Sequence, residues 1–173
     1  HVLSASGDGT VKLWDTEKGE TVRTLSGHHG AVNACAVSAD GRYIISGDAN
    51  GELILWNAST GLQVHTLKGS ASAVNAIAQL RDGRYLLSAN QDGTLKLWNA
   101  LTGHQEKVYR GHKGAVTALS LLTARRAFAS AGQDGRVIIW DIDSGEKQLN
   151  VKVAASAITC VSVSPGGDRV LAG

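Results

Sequence analysis

The sequence predicts an all-β protein built from repeated four-stranded antiparallel sheets, and three observations predict it. Tryptophan recurs every 42 residues, at Trp14, Trp56, Trp98 and Trp140. An Asp-Gly or Asn-Gly dipeptide lies six residues before each of these tryptophans. The runs between the turns are short and rich in β-formers, without helical spacing. A fixed period of this length is typical of stacked or radial repeat architectures.

Each period contains four short runs that we interpret as strands a, b, c and d. In residues 29–70 these runs are AVNACAV, YIISG, ELILWN and LQVHTL, and they are separated by Asp40-Gly41, Asn50-Gly51 and Thr60-Gly61. Asn-Gly and Asp-Gly favour tight hairpin turns, because glycine and asparagine tolerate positive φ at little cost. Four strands joined by hairpin turns make an antiparallel meander.

A single meander of this size has two faces and can cover neither alone. Sheets packed face to face around an axis bury both faces, so the repeat predicts a β-propeller with a tryptophan wedge at the end of each strand c. A linear β-solenoid is the alternative, although its rungs are usually shorter and tight-turn meanders fit it poorly. We expect a partial ring with blades at about 1–26 (partial), 27–68, 69–110, 111–152 and 153–173 (partial).

Four in-phase segments resemble the signature that runs from strand b to strand c in the WD-repeat family: SGDGTVKLWD, ANGELILWN, NQDGTLKLWN and GQDGRVIIWD. The pairs Gly27-His28 and Gly111-His112 resemble the dipeptide that opens each repeat of that family. Gly69-Ser70 departs from that dipeptide, and Asn57 and Asn99 replace an Asp that Asp15 and Asp141 keep. Because the family usually closes its ring with about seven blades, we expect this chain to need the remaining blades or a second copy.

The resemblance implies a buried hydrogen-bonded set of His, Ser or Thr, Asp and Trp in each blade. Matched residue by residue, the complete set is His112, Ser130, Asp134 and Trp140. The other blades offer partial sets, in which Asn50 stands for Asp and Ser70 stands for His: His28, Ser46, Asn50 and Trp56; Ser88, Asp92 and Trp98; Ser4, Asp8 and Trp14.

Serine, histidine and aspartate are also the residue types of a nucleophilic hydrolase. The serine recurs once per blade, at Ser4, Ser46, Ser88 and Ser130, whereas an enzyme needs one nucleophile. None of these serines has the G-x-S-x-G surroundings of a nucleophile elbow. A buried indole N–H needs an acceptor that a serine hydroxyl can supply. We therefore expect a structural network and no catalytic residues.

Propellers of the family usually bind partners on the face made by the d–a and b–c loops. The positions expected there precede the b–c turns or lie near the start of strand a: Gly7, Ala49, Gln91, Gln133, Asn33, Asn75 and Thr117. For any one of these residues, plain solvent exposure is the simpler interpretation. The leading function is a non-catalytic scaffold that binds other proteins or peptides.

Two other functions remain open at the level of sequence. One is a regulatory or sensory propeller within a larger multidomain signalling protein, fused to a kinase or an ATPase. The other, which is less favoured, is a hydrolase or ligand binder that uses the central channel. The predicted a strands, AVNACAV, AVNAIAQ, AVTALSL and AITCVSV, offer such a site neither a carboxylate nor a histidine.

Composition narrows the ligand classes. The net charge is +2 and the basic residues are scattered, so we expect no nucleic-acid partner. Cys35 and Cys160 are too few for a zinc site, and no His-x-x-x-His or Cys-x-x-Cys spacing occurs, so we expect no metal and no cofactor. No apolar run approaches a membrane span of about 18 residues. We expect no membrane partner and a cytoplasmic location.

Overall fold

The computed structural model describes residues 1–67, 71–123 and 125–173. Within these ranges every regular element is a β-strand, and the strands form five antiparallel sheets. In each sheet the hydrogen-bonded neighbours are also neighbours in sequence, as in a meander. Among the described residues, no helix is long and apolar enough to cross a membrane. The predicted all-β class is confirmed.

The first sheet has three strands: β1 (Val2–Ala5), β2 (Thr10–Trp14) and β3 (Thr21–Ser26). The second sheet contains β4 (Val32–Val37), β5 (Tyr43–Asp48), β6 (Leu53–Asn57) and β7 (Gln63–Leu67). The third contains β8 (Val74–Gln79), β9 (Tyr85–Asn90), β10 (Thr94–Asn99) and β11 (Gln105–Arg110). The fourth contains β12 (Val116–Leu122), β13 (Ala127–Gly132), β14 (Arg136–Asp141) and β15 (Lys147–Lys152). The last pairs β16 (Val161–Val163) with β17 (Val170–Ala172).

We number these sheets blades 1 to 5 in chain order. Blades 2, 3 and 4 each contain the predicted strands a, b, c and d, with β4, β8 and β12 as strand a. Consecutive blades pack through their first strands: β1 against β4, β4 against β8, β8 against β12, and β12 against β16. The arrangement is that of a partial propeller. The exact residues at which one blade passes into the next remain a prediction.

The tryptophans fill the spaces between consecutive blades. Trp56 packs with Val11 and Leu25 of blade 1, and Trp98 packs with Leu67 of blade 2. Trp140 likewise belongs to a core cluster that includes residues of blade 3. These three side chains are buried, whereas Trp14 of blade 1 is half-buried. Each buried tryptophan is therefore a wedge against the preceding blade, and its large apolar surface stabilises the packing of the two sheets.

The b–c turn of one blade rests on the loop that enters the next blade. Gly93 has φ +80°, and a Cβ at this position would lie 2.9 Å from the carbonyl oxygen of Gly114. A Cβ on Gly135, which has φ +70°, would collide with the carbonyl oxygen of Ala154. Only glycine satisfies both the positive φ and this close approach. The turns thus fix the d–a loops on one face of the molecule.

Candidate functional site

Blade 4 contains a continuous chain of polar side chains. The indole Nε1 of Trp140 donates a hydrogen bond to Ser130 Oγ at 2.8 Å. His112 Nε2 lies 2.8 Å from the same hydroxyl, and His112 Nδ1 lies 2.9 Å from Asp134 Oδ1. Asp134 Oδ2 accepts the backbone N–H of Lys113 at 2.9 Å. The structure therefore joins the four residues matched in sequence and links strands b and c to the loop that enters the blade.

The carboxylate of Asp134 is held in its charged form. Burial alone would raise its pKa, but the Lys113 N–H and the His112 side chain donate hydrogen bonds to it. These hydrogen bonds outweigh the burial, and the pKa of Asp134 lies below its usual value. At neutral pH this blade therefore has a fully partnered carboxylate beside its histidine.

Ser130 is not placed as a nucleophile. Its side chain is fully buried, and its hydroxyl already lies within hydrogen-bond distance of Trp140 and His112. A nucleophilic serine needs an oxygen that a substrate can reach. The arrangement of Ser130, His112 and Asp134 has the composition of a triad, but it faces the interior of the propeller.

In blade 2 the expected partner of His28 is corrected by the structure. Trp56 Nε1 donates to Ser46 Oγ at 2.7 Å, and His28 Nε2 lies 2.6 Å from that oxygen. The carboxylate beside His28 Nδ1 belongs to Asp48, at 3.2 Å, and Asn50 does not take this place. Asn50 is exposed, and a Cβ on Gly30 would lie 2.8 Å from its Nδ2.

The physical reason lies at the last residue of strand b. In blade 4 this position is Gly132, and a Cβ there would lie 2.9 Å from His112 Nδ1, so its absence leaves room for Asp134. In blade 2 the equivalent position is Asp48, whose side chain fills the space itself. An aspartate two residues before Asn50 was the signal in the sequence that could have identified this exchange.

The exchange leaves two buried polar atoms without a hydrogen-bond partner. Asp48 Oδ1 accepts the backbone N–H groups of Asn50 and Glu52. Asp48 Oδ2 and His28 Nδ1 face each other at 3.2 Å as an ion pair, but neither atom makes a hydrogen bond of acceptable geometry. Glu52 Oε2 lies 4.0 Å from His28 Nδ1. Burial lowers the pKa of His28, and the negative charge of Asp48 opposes that shift. We call His28, Asp48 and Glu52 the blade 2 cluster; sequence spacing did not indicate it.

Blades 1 and 3 keep the tryptophan–serine pair. In both, the indole Nε1 donates to the serine hydroxyl: Trp14 to Ser4 at 2.8 Å and Trp98 to Ser88 at 3.0 Å. The predicted histidine position of blade 3, Ser70, lies outside the described residues.

Asp8 and Asp92 have a different role from Asp134. The Oδ1 atom of each accepts hydrogen bonds from the backbone N–H and the hydroxyl of the threonine two residues later: Thr10 and Thr94, respectively. Both aspartates are exposed. They therefore stabilise the b–c turn, as aspartate side chains commonly do in turns.

Four of the predicted partner-binding positions lie at the b–c turns of successive blades and are exposed: Gly7, Ala49, Gln91 and Gln133. In blades 2 to 4 the backbone N–H at this position donates to a carbonyl oxygen just before strand a: Ala49 to Ala31, Gln91 to Ala73 and Gln133 to Ala115, at 2.8–2.9 Å. These turns are consequently fixed to the start of their own blade, and their side chains point away from a rigid frame.

The other three predicted positions sit on a β-bulge. The register of strand a against strand b shifts across Asn33, Asn75 and Thr117, so each is the extra residue of its bulge. Their side chains donate hydrogen bonds to the first strand or entry segment of the next blade: Asn33 to Val74 O at 3.2 Å, Asn75 to Val116 O at 2.9 Å, and Thr117 to Ile158 O at 2.5 Å. Sequence reasoning assigned them to partner binding and missed this contact between blades.

Comparison with known proteins agrees with this geometry. The family model described as "WD domain, G-beta repeat" matches residues 1–15, 19–57, 61–99 and 103–141. The chain is 52% identical over 42 residues to apoptotic protease-activating factor 1 of Danio rerio, covering 24% of this chain and 3% of that protein. It is 48% identical over 42 residues to the F-box-like/WD repeat-containing protein TBL1X of Mus musculus, covering 24% of this chain and 8% of that protein.

A third relative is the lissencephaly-1 homolog of Caenorhabditis briggsae, 44% identical over 43 residues, with 25% of this chain and 11% of that protein covered. The chain thus spans only a small part of the length of these relatives. The family model, in contrast, matches well over half of the chain, in phase with the wedge tryptophans and their serine partners. This chain belongs to the WD-repeat family.

Proposed function

We propose that this chain is a non-catalytic scaffold that binds other proteins or peptides through its loop face. The loop face is the surface made by the b–c turns and the starts of strands a: Gly7, Ala49, Gln91, Gln133, Asn33, Asn75 and Thr117. The family is one whose members generally mediate protein interactions, and this supports the coarse assignment.

The observation that carries the proposal is the regular exposure of the b–c turns on a fixed backbone. Ala49, Gln91 and Gln133 are exposed, and each donates its backbone N–H to the start of its own blade. A surface whose backbone is already ordered loses little conformational entropy when a partner binds. Because these side chains are uncharged, binding a partner does not remove any of their charges from water, which would cost free energy.

The polar networks support a structural role over catalysis. The hydroxyls of Ser46 and Ser130 are buried, and each accepts an indole N–H. Neither can contact a substrate without opening the packing between two blades. We therefore infer that partners bind at the surface and that the interior networks serve stability.

The test changes the loop face without changing the frame. A variant with Ala49→Arg, Gln91→Arg and Gln133→Arg adds three charged side chains to this surface. A matched control places three arginines at exposed positions of the c–d turns, at the opposite end of the strands: Thr60→Arg, Thr102→Arg and Ser144→Arg. Proteins that the wild-type chain retains from a lysate of its source cells are identified and purified, and their affinities are then measured by calorimetry.

We expect a purified partner to lose at least about tenfold in affinity for the loop-face variant, a loss of about 1.4 kcal/mol, and to keep its affinity for the control. If every purified partner binds both variants equally, the loop face is not the docking surface. Hydrolase activity that disappears in Ser130→Ala but survives in the loop-face variant would instead favour catalysis.

A further inference from the structure

We propose that the blade 2 cluster is a zinc-binding site, with His28 Nδ1, Asp48 Oδ2 and Glu52 Oε2 as the protein ligands. These three atoms lie within 4.8 Å of one another. His28 Nδ1 is 3.2 Å from Asp48 Oδ2 and 4.0 Å from Glu52 Oε2. Two ligands of one tetrahedral zinc ion, at their usual bond lengths, are separated by about 3.4 Å. The pair of His28 and Asp48 therefore has about the spacing that zinc requires, and the Glu52 carboxylate would need to move closer to complete the site.

The strongest argument is that two of these atoms are buried, face each other and lack a hydrogen bond. The side chains of His28 and Asp48 are 1% and 0% exposed, and neither His28 Nδ1 nor Asp48 Oδ2 makes a hydrogen bond. A buried polar atom without a partner is costly and rare in a native protein. A metal ion between the two atoms would satisfy both, and it would neutralise the carboxylate of Asp48.

The remaining contacts of His28 suit a metal ligand. Binding through Nδ1 requires the imidazole proton to be on Nε2, where it donates to Ser46 Oγ at a distance of 2.6 Å. That oxygen also accepts the indole N–H of Trp56, which fixes its position. A second hydrogen bond of this kind normally orients a metal-ligating histidine and sets its tautomer. The hydrogen bonds among His28, Ser46 and Trp56 would therefore hold the histidine ligand in place.

The cluster has a route to the solvent. His29 Nδ1 lies 3.6 Å from Glu52 Oε2 but outside the group of ligand atoms, so a water molecule from the solvent would supply the fourth ligand. An open cavity of about 160 Å³, lined by Gly7, Asp8 and the segment 28–31, lies beside the cluster. One imidazole with two carboxylates favours zinc over magnesium or calcium, which prefer oxygen ligands alone.

The other blades provide a natural contrast. At the position of Glu52, blade 4 has Arg136, whose charge repels a cation, while blades 1 and 3 have Thr10 and Thr94. In blade 4, moreover, His112 Nδ1 is already within hydrogen-bond distance of Asp134. Among the described residues, the blade 2 cluster alone brings three ligand atoms of histidine, cysteine or carboxylate side chains within 4.8 Å of one another.

The test is a zinc titration of the metal-free chain by calorimetry, with cobalt absorption as a second readout of tetrahedral coordination. Glu52→Gln removes one ligand from a partly exposed position, so the fold should persist, and circular dichroism in chelator checks this. Asp134→Asn is the matched control, because it changes a carboxylate beside the histidine of blade 4. Asp48→Asn is a second ligand variant.

We expect one zinc ion per chain, a loss of affinity of at least about tenfold in Glu52→Gln, and unchanged affinity in Asp134→Asn. A tetrahedral cobalt spectrum should appear in the wild type and disappear in both ligand variants. No zinc binding by the wild type, or equal binding by wild type and Glu52→Gln, would overturn the proposal. Zinc that is lost when the exposed His65 and His104 are replaced, but retained in Glu52→Gln, would be an adventitious surface ion only and would also overturn it.

Discussion

At the scale of single residues, blades 2 and 4 bring a carboxylate to their histidine from different positions of the repeat. Asp48→Gly removes the carboxylate beside His28 that accepts the N–H groups of Asn50 and Glu52, and we expect it to lower the free energy of unfolding by about 1–3 kcal/mol. Adding Asn50→Asp recreates the arrangement of Gly132 and Asp134 in blade 4, so the double variant should recover most of that loss. Urea unfolding in chelator measures both values. A double variant as unstable as Asp48→Gly would show that the two positions are not interchangeable.

The charge of Asp134 gives the stability of blade 4 a dependence on pH. Because its pKa is lowered in the folded chain, its contribution is fully present above the unfolded value of about 3.9 and is lost as the pH falls below it. Asp134→Asn should therefore be less stable than the wild type at pH 7, with a difference that shrinks in acid. Thermal unfolding between pH 7 and pH 3 checks this. Asp92→Asn, which changes only an exposed turn, is the control, and an equal effect there would contradict the argument.

At the scale of elements, the bulge at the start of strand a connects neighbouring blades. Asn75→Ala removes the hydrogen bond from Nδ2 to Val116 O, and we expect a loss of about 0.5–1.5 kcal/mol in the free energy of unfolding. Gln91→Ala is the matched control, because Gln91 Oε1 accepts a hydrogen bond from Asn75 but lies on the exposed turn. Chemical denaturation of both variants should separate the connection between blades from the surface contact.

Strands and turns could be predicted from sequence because their signals are local. A glycine with positive φ after Asp or Asn fixes each b–c hairpin, as Gly93 and Gly135 do, and the tryptophan period fixes the register of the blades. The bulge could not be predicted, since an asparagine at the start of a strand gives no sign of an extra residue. The predicted partner of His28 was wrong for a related reason. Position in the repeat identifies Asn50, but the side chain at the last residue of strand b, Asp48, decides which group reaches the imidazole ring.

At the scale of the whole molecule, blade 5 covers the apolar side chains of strands a to c of blade 4 but leaves its strand d partly exposed. Val151 of strand d is 40% exposed, although its counterparts in the earlier blades are nearly fully buried: Leu25 at 1%, Leu67 at 0% and Tyr109 at 1%. These three residues are covered by the following blade, and the two short strands β16 and β17 do not cover Val151 in the same way. Exposed apolar surface of this kind favours association.

We therefore expect a polypeptide of residues 1–173 alone to self-associate in solution, with an apparent mass that rises above 18.0 kDa as the concentration increases. Val151→Lys should shift the equilibrium towards the monomer, because association would then bury a charge. Val64→Lys is the matched control. Val64 is 41% exposed and its counterpart Val22 is 45% exposed, so the face of strand d that carries Val64 is solvated in more than one blade. Light scattering across a concentration series measures the mass of each variant. A wild type that stays monomeric at every concentration, or a Val64→Lys variant that dissociates as readily as Val151→Lys, would show that the face at Val151 does not drive assembly.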